Sequence, residues 1–180
     1  MTSGTTAIPS SHARFAANPA LTPALAIMVI AAATISGAWF FQLVVGIQPC
    51  PLCLEQRYAY YVIVPLAVLL AIGAARGAPR PLLVAGLVVI ALAALGNSAL
   101  GAYHAGVEWK LWAGPTDCTG PIGNLGSASD LLQRLDTVKV VPCDVAQWRF
   151  LGLSLAGYNT LISALMAAIA AFGAVRSARR

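Results

Sequence analysis

Four long stretches without a single charged residue, 21–47, 58–75, 82–102 and 151–175, constrain what this 180-residue chain can fold into more than any other feature. A helix crosses a hydrocarbon core with about 20 apolar residues, and roughly 17–25 are tolerated; each stretch meets that requirement. Backbone in lipid has no water to bond to, so a spanning segment closes its hydrogen bonds within a helix or a sealed barrel. The stretches show no strand-period alternation of polar and apolar residues, which leaves helices. Composition points the same way. Hydrophobic residues make up 59% of the chain and charged residues only 9%, against roughly 25% charged in ordinary soluble domains. That balance excludes a disordered chain, a basic nucleic-acid-binding domain and an ordinary water-soluble enzyme. The expected fold is all-α: an integral four-helix bundle in a lipid bilayer, with tails at 1–20 and 176–180.

Charge placement orients the bundle. Arg14 precedes the first span, Arg76 and Arg80 separate the second from the third, and Arg176, Arg179 and Arg180 follow the fourth; no acid accompanies them. By the positive-inside rule these segments are cytoplasmic. Both termini are then inside, and the loops 48–57 and 103–150 are outside with every acid and all four cysteines. The small residues Ser36-Gly37-Ala38 raise the alternative of a cleaved leader, but the apolar run continues through Trp39-Phe40-Phe41 to Ile47, too long for a leader's core. Trp39, Tyr58, Tyr60, Tyr61, Tyr103, Trp109, Trp112 and Trp148 gather at the exterior ends, as an interfacial belt does. In the long exterior loop Leu131, Leu132, Leu135 and Val138 fall at helical spacing, which predicts a short amphipathic helix over 127–136 on the membrane surface.

The cysteines carry the chemistry. Cys50-Pro51-Leu52-Cys53 is a C-x-x-C where the second span is about to begin, and Cys118 and Cys143 lie in the other exterior loop. Exterior cysteines in even number are first read as structural disulfides. A C-x-x-C closes too small a loop to remove much denatured-state entropy, and tight exposed disulfides are the labile, catalytic kind. Zinc would need a second close pair of ligands, and the histidines are only His12, on the cytoplasmic side, and His104, near the exterior end of span three; no metal is expected. If the second helix starts near Leu52, Cys53 lies at its N-terminus, where free N–H groups and the dipole favour a thiolate. Arg57 follows four residues on, on the same face; its bland alternative is a snorkelling anchor.

On these residues (Pro49-Cys50-Pro51-Leu52-Cys53, Gln56-Arg57, the pair Cys118 and Cys143, and Trp148-Arg149-Phe150-Leu151-Gly152) the chain resembles the disulfide bond formation protein B family over nearly its whole length. The resemblance implies a thiol oxidase of the bacterial inner membrane, with its redox sites on the periplasmic face. Such an oxidase regenerates a periplasmic thioredoxin-fold disulfide donor and reduces a quinone, ubiquinone or menaquinone; relays of this kind keep the bacterial periplasm oxidising. It further implies that Cys118 takes the attack of the reduced partner, that Cys143 passes electrons to Cys50, and that Cys53 faces the quinone with Arg57 beside it. His104 matches only loosely a histidine found near this place in some members.

Two other readings use the same residues. One is a structural four-span protein with disulfide-braced exterior loops. The other is an enzyme of the vitamin K epoxide reductase type, in which the loop pair precedes the C-x-x-C, opposite to the order here. Orientation is testable at once: reporter fusions after Arg76 and after Arg180 are expected to read cytoplasmic, and one after Ser127 exterior.

Overall fold

The computed structural model describes residues 18–115 and 141–179. Among them are four helices long and apolar enough to cross a membrane: α1 Leu21–Leu43, α2 Pro51–Arg76, α3 Arg80–Glu108 and α4 Leu155–Ala178. A two-residue hairpin, β1 Arg149–Phe150 paired antiparallel with β2 Leu153–Ser154, precedes α4. The protein is a four-helix membrane bundle. Cys118 and the amphipathic helix expected over 127–136 lie outside the described residues.

Local chemistry sets the helix ends, and they differ from the edges of the uncharged stretches. α2 starts at Pro51, well before 58, because proline at the first helical position lacks only an N–H that would be unbonded anyway and Cys50 caps the turn: its Sγ accepts from Cys53 N–H at 3.3 Å. Glu55 and Arg57 are therefore helical. At the other end Gly77 takes φ 76°, and Ala78 N–H bonds back to Gly73 O at 2.8 Å, a left-handed termination that glycine makes without strain. α3 runs on past 102 to Glu108. α4 begins later than 151, since Leu151 and Gly152 (φ 48° and 85°) form the two-residue turn of the hairpin. Positive φ at both central positions matches the twist of a tight hairpin. Ser154 then caps α4, its Oγ accepting from Gly157 N–H at 3.2 Å.

The core is apolar at the centre of the bundle, where Ile27, Ile63, Leu87, Ile90 and Met166 are fully buried. Leu69, Leu92, Leu161 and Phe172 are exposed on the outer surface, as helices surrounded by lipid require. Without a hydrophobic drive between helices, small residues allow close approach. Gly101 of α3 is such a point: a Cβ there would meet Thr160 Oγ1 of α4 at 2.7 Å and Thr160 N at 3.2 Å.

Replacing Gly101 with Leu is expected to lower stability by about 1–3 kcal/mol through overpacking, read as a fall in the thermal unfolding midpoint in detergent. Gly96→Leu, at a site with nothing within 4 Å of its would-be Cβ, is expected to show no such fall.

Candidate active site

The C-x-x-C sits where the start of α2, the end of α3 and the return segment at 141–148 meet. Cys50 is buried and Cys53 partly exposed. The two thiols are free and in contact, with Cys50 Sγ–H donating to Cys53 Sγ at 2.9 Å. That donation and burial push the Cys50 thiol well above its ordinary pKa, so Cys50 holds the proton of the pair. The helix N–H expected to serve Cys53 instead points at Cys50: it is the capping sulfur that receives the N–H of residue 53.

Cys143 packs in one buried cluster with Cys50 and Leu52, against Cys53, Leu100 and Val141, and is disulfide-bonded. Two polar ties hold this return segment over the C-x-x-C. Lys110, just past α3, pairs with Asp144 and holds that exposed carboxyl below the usual carboxylate range. Gln147 Nε2–H donates to Gln48 O at 2.9 Å. An exposed ion pair adds little stability; its effect here is to place the neighbouring Cys143.

Arg57 is not a snorkelling anchor. It is buried, donating from Nη1 to Gln42 Oε1 at 2.6 Å and from Nη2 to Ala38 O at 3.4 Å, and its guanidinium lies 5.1 Å from the Trp39 ring centroid. Planar stacking and forked donation both suit arginine better than lysine. Sequence spacing put Arg57 one turn from Cys53; only the fold shows that the last turns of α1 grip it.

Beside Cys53 and Arg57 opens a cavity of about 440 Å³, whose wall includes Phe41, Trp148, Phe150 and Tyr158. Trp148 organises that wall, with ring centroids 5.2 Å from Phe41, 6.0 Å from Phe150 and 6.3 Å from Tyr158. Three of the aromatics assigned to an interfacial belt also have partners within the protein: Trp39 under Arg57, Trp148 in the cavity wall, and Tyr60, which is buried.

His104 is buried, with only 2% of its surface exposed. Its Nε2 lies 3.6 Å from Cys50 Sγ and its Nδ1 2.8 Å from Gln56 Nε2. Gln56 Nε2 donates as well to Leu52 O at 3.1 Å, and Gln56 Oε1 accepts from Asn159 Nδ2 at 2.6 Å. Asn159 Oδ1 in turn accepts from Tyr60 OH at 2.5 Å and from Asn97 Nδ2 at 3.3 Å, and Ser163 Oγ accepts from Asn97 at 3.0 Å. This network joins α2, α3 and α4 through side chains that spacing analysis passed over. Asn97 and Asn159 were visible as amides within the uncharged stretches, and a polar residue at membrane depth is by default a functional candidate.

The donor atoms of Cys50, Cys53 and His104 lie within 4.8 Å of one another, the spacing of a metal site. The imidazole is oriented against that use. A metal-ligating histidine donates from its other nitrogen to an acceptor, whereas Nδ1 here faces the Gln56 amide N–H.

The family model described as "Disulfide bond formation protein DsbB" matches residues 21–173. The chain belongs to that family. It is a membrane thiol oxidoreductase. Similar relatives include disulfide bond formation protein B 1 of Pseudomonas fluorescens, 28% identical over 84% of this chain and 88% of the relative. Disulfide bond formation protein B of an Azoarcus species is 29% identical over 83% and 90%, and that of Xanthomonas oryzae pv. oryzae 34% identical over 66% and 69%. No solved structure matches the chain.

Asn159→Leu is expected to lower stability by about 1–3 kcal/mol, the cost of leaving buried polar groups unpaired, measured as thermal unfolding in detergent. Tyr60 OH keeps Ser163 Oγ, 3.2 Å away, as a partner in that variant, so adding Tyr60→Phe is expected to recover none of the loss.

Proposed function

We propose that this membrane oxidase reoxidises a periplasmic thioredoxin-fold disulfide donor, DsbA-like, and passes the electrons through Cys118–Cys143 and Cys50–Cys53 to a membrane quinone. The cysteine end of the bundle then faces the periplasm and the protein resides in the bacterial inner membrane. The observation that carries this reading is the free Cys50–Cys53 dithiol, wedged between buried Cys143 on one side and an aromatic-walled cavity on the other. Electrons have a sulfur to come from and a space to go to.

The cavity residues fit a quinone. A flat apolar ring suits the wall built around Trp148, the volume is that of ordinary small-molecule sites, and the walls include both Cys53 and Arg57. A bound quinone supplies an acceptor for two electrons and two protons. Cys53, the more exposed sulfur, faces it; the fixed Arg57 cation offsets negative charge that develops beside Cys53. Cys50, buried against Cys143, is the sulfur that loop exchange reaches. Cys118 takes the partner's attack, and Cys143 resolves it.

The relay order is tested by trapping and by kinetics on the purified protein. Cys143→Ala leaves Cys118 a free thiol, which is expected to attack the disulfide of an oxidised DsbA-like partner and accumulate as a mixed disulfide because no Cys143 is present to resolve it. Arg57→Met is expected to raise the quinone KM about tenfold or more, with Arg57→Lys intermediate. A partner trapped on Cys50, or quinone reduction indifferent to both Arg57 variants, would sink this order.

A further inference from the structure

The environment of Cys50 holds more than the relay requires of a buried sulfur. Cys50 Sγ accepts from Cys53 N–H at 3.3 Å and lies 3.6 Å from His104 Nε2. Whether that nitrogen carries a hydrogen is decided by its neighbours. Leu52 O is a carbonyl and can only accept, so the end of the Gln56 side chain that meets it must be the NH₂ group. Its second hydrogen then points at His104 Nδ1, 2.8 Å away, which must accept. Asn159 Nδ2 donating to Gln56 Oε1 at 2.6 Å holds the amide the same way round. A neutral imidazole that accepts at Nδ1 carries its hydrogen on Nε2, the nitrogen facing Cys50.

We propose that Gln56 locks the His104 tautomer so that His104 Nε2–H and Cys53 N–H together form a two-donor pocket for the Cys50 thiolate. This rests on the relay proposed above. In that relay the Cys143 thiolate, freed when the partner attacks Cys118, attacks Cys50 Sγ of the oxidised Cys50–Cys53 pair and expels Cys53. The Cys50–Cys143 bond so formed is broken when the Cys118 thiolate, released from the partner, attacks Cys143 Sγ. The new bond is Cys118–Cys143, and the electron pair of the broken bond leaves on Cys50 Sγ. A thiolate released at Cys50, only 3% exposed, is poorly solvated, and hydrogen bonds to a charged group are the strong ones. The two N–H groups meet that charge where it forms, as oxyanion-hole donors do. His104 touches the reacting sulfur and Gln56 is a positioning residue.

Glu108 completes the arrangement. It is buried, its Oε2 has no hydrogen-bond partner, and its Oε1 lies 3.9 Å from the same His104 Nε2. The ring also hydrogen-bonds to the backbone of Cys143, so the one N–H is held between that carbonyl and Cys50 Sγ and leans to the sulfur when it is anionic, whereas Glu108 at 3.9 Å is a neighbouring charge and not a hydrogen-bond acceptor. Among the described residues, the titratable or charged groups bearing on this sulfur are Cys53 from α2 and Glu108 from α3, with Arg149 of β1 bearing on Glu108.

The chain has only two histidines, His12 and His104, so ¹⁵N-histidine labelling of the His12→Gln protein reports His104 alone. The expected result is the Nε2–H tautomer at neutral pH, turning to a mixture in Gln56→Met. An Nδ1–H ring in the Gln56 protein, or a tautomer unmoved by Gln56→Met, overturns the lock. A second arm keeps Cys50 as the sole cysteine (Cys53→Ser, Cys118→Ser, Cys143→Ser) and follows its alkylation against pH. His104→Phe, which keeps the packing and removes the donor, is expected to raise the midpoint by about one pH unit or more; an unchanged midpoint overturns the pocket. Failure of the four-cysteine protein to oxidise any dithiol partner would overturn the relay instead, and is seen separately from both arms.

Discussion

The hydrogen bond from the Gln56 amide to the Leu52 carbonyl is the fixed point from which the rest of the polar interior takes its direction. A glutamine amide is nearly symmetric in shape, and in a network of other amides its two ends could exchange. The backbone carbonyl removes that freedom because it accepts only. From this contact the orientation of Asn159 follows, then the acceptor role offered to Tyr60 and Asn97, and, in the other direction, the proton position on His104. In water such a chain would be one arrangement among many. Within a bundle in lipid, each group that lost its partner would find no solvent to replace it.

That constraint makes stability and chemistry share residues. The amides that hold α2, α3 and α4 in register also set what His104 presents to Cys50, so the site is as rigid as the helix packing around it. Polar contacts between membrane helices are individually modest, and here they matter as much for uniqueness as for energy. Gly101 lets α3 and α4 approach closely beside Asn159, which brings the Asn97 and Asn159 amides within bonding distance.

The two sulfurs of the C-x-x-C differ because they stand at different depths in this frame. Both border the cavity, but Cys50, the helix cap, is buried under His104 beside Cys143, whereas Cys53, in the first turn of α2, is partly exposed. The hairpin before α4 serves the same division. Its tight turn at Leu151-Gly152 returns the chain sharply, which sets Trp148 and Phe150 against Phe41 and Tyr158 as a wall. The Trp-Arg-Phe-Leu-Gly run is thereby explained: aromatics for the wall, glycine for the turn.

Sequence by itself determined the class of fold, the number of spans and the candidate C-x-x-C, because lipid imposes a length and a polarity that charge-free runs reveal directly, and because C-x-x-C spacing is local. It also placed Arg57 one turn from Cys53, a relation within a single helix. It did not reveal the grip of Gln42 and Trp39 on Arg57, the burial of His104 or the chain of amides, since each joins residues from different helices. Helical periodicity says which face a residue occupies but not what the facing helix brings to it. Helix ends differ from the edges of the uncharged stretches for a related reason: uncharged length marks where lipid is tolerated, whereas α2 begins at a proline with a cysteine cap, one residue from the start near Leu52 read from the C-x-x-C, and α4 waits for a hairpin. Tertiary structure alone decided which sulfur is the more buried, what the cavity beside both is lined with and which imidazole nitrogen carries the proton. Those properties belong to groups brought together across the bundle, and no single segment encodes them.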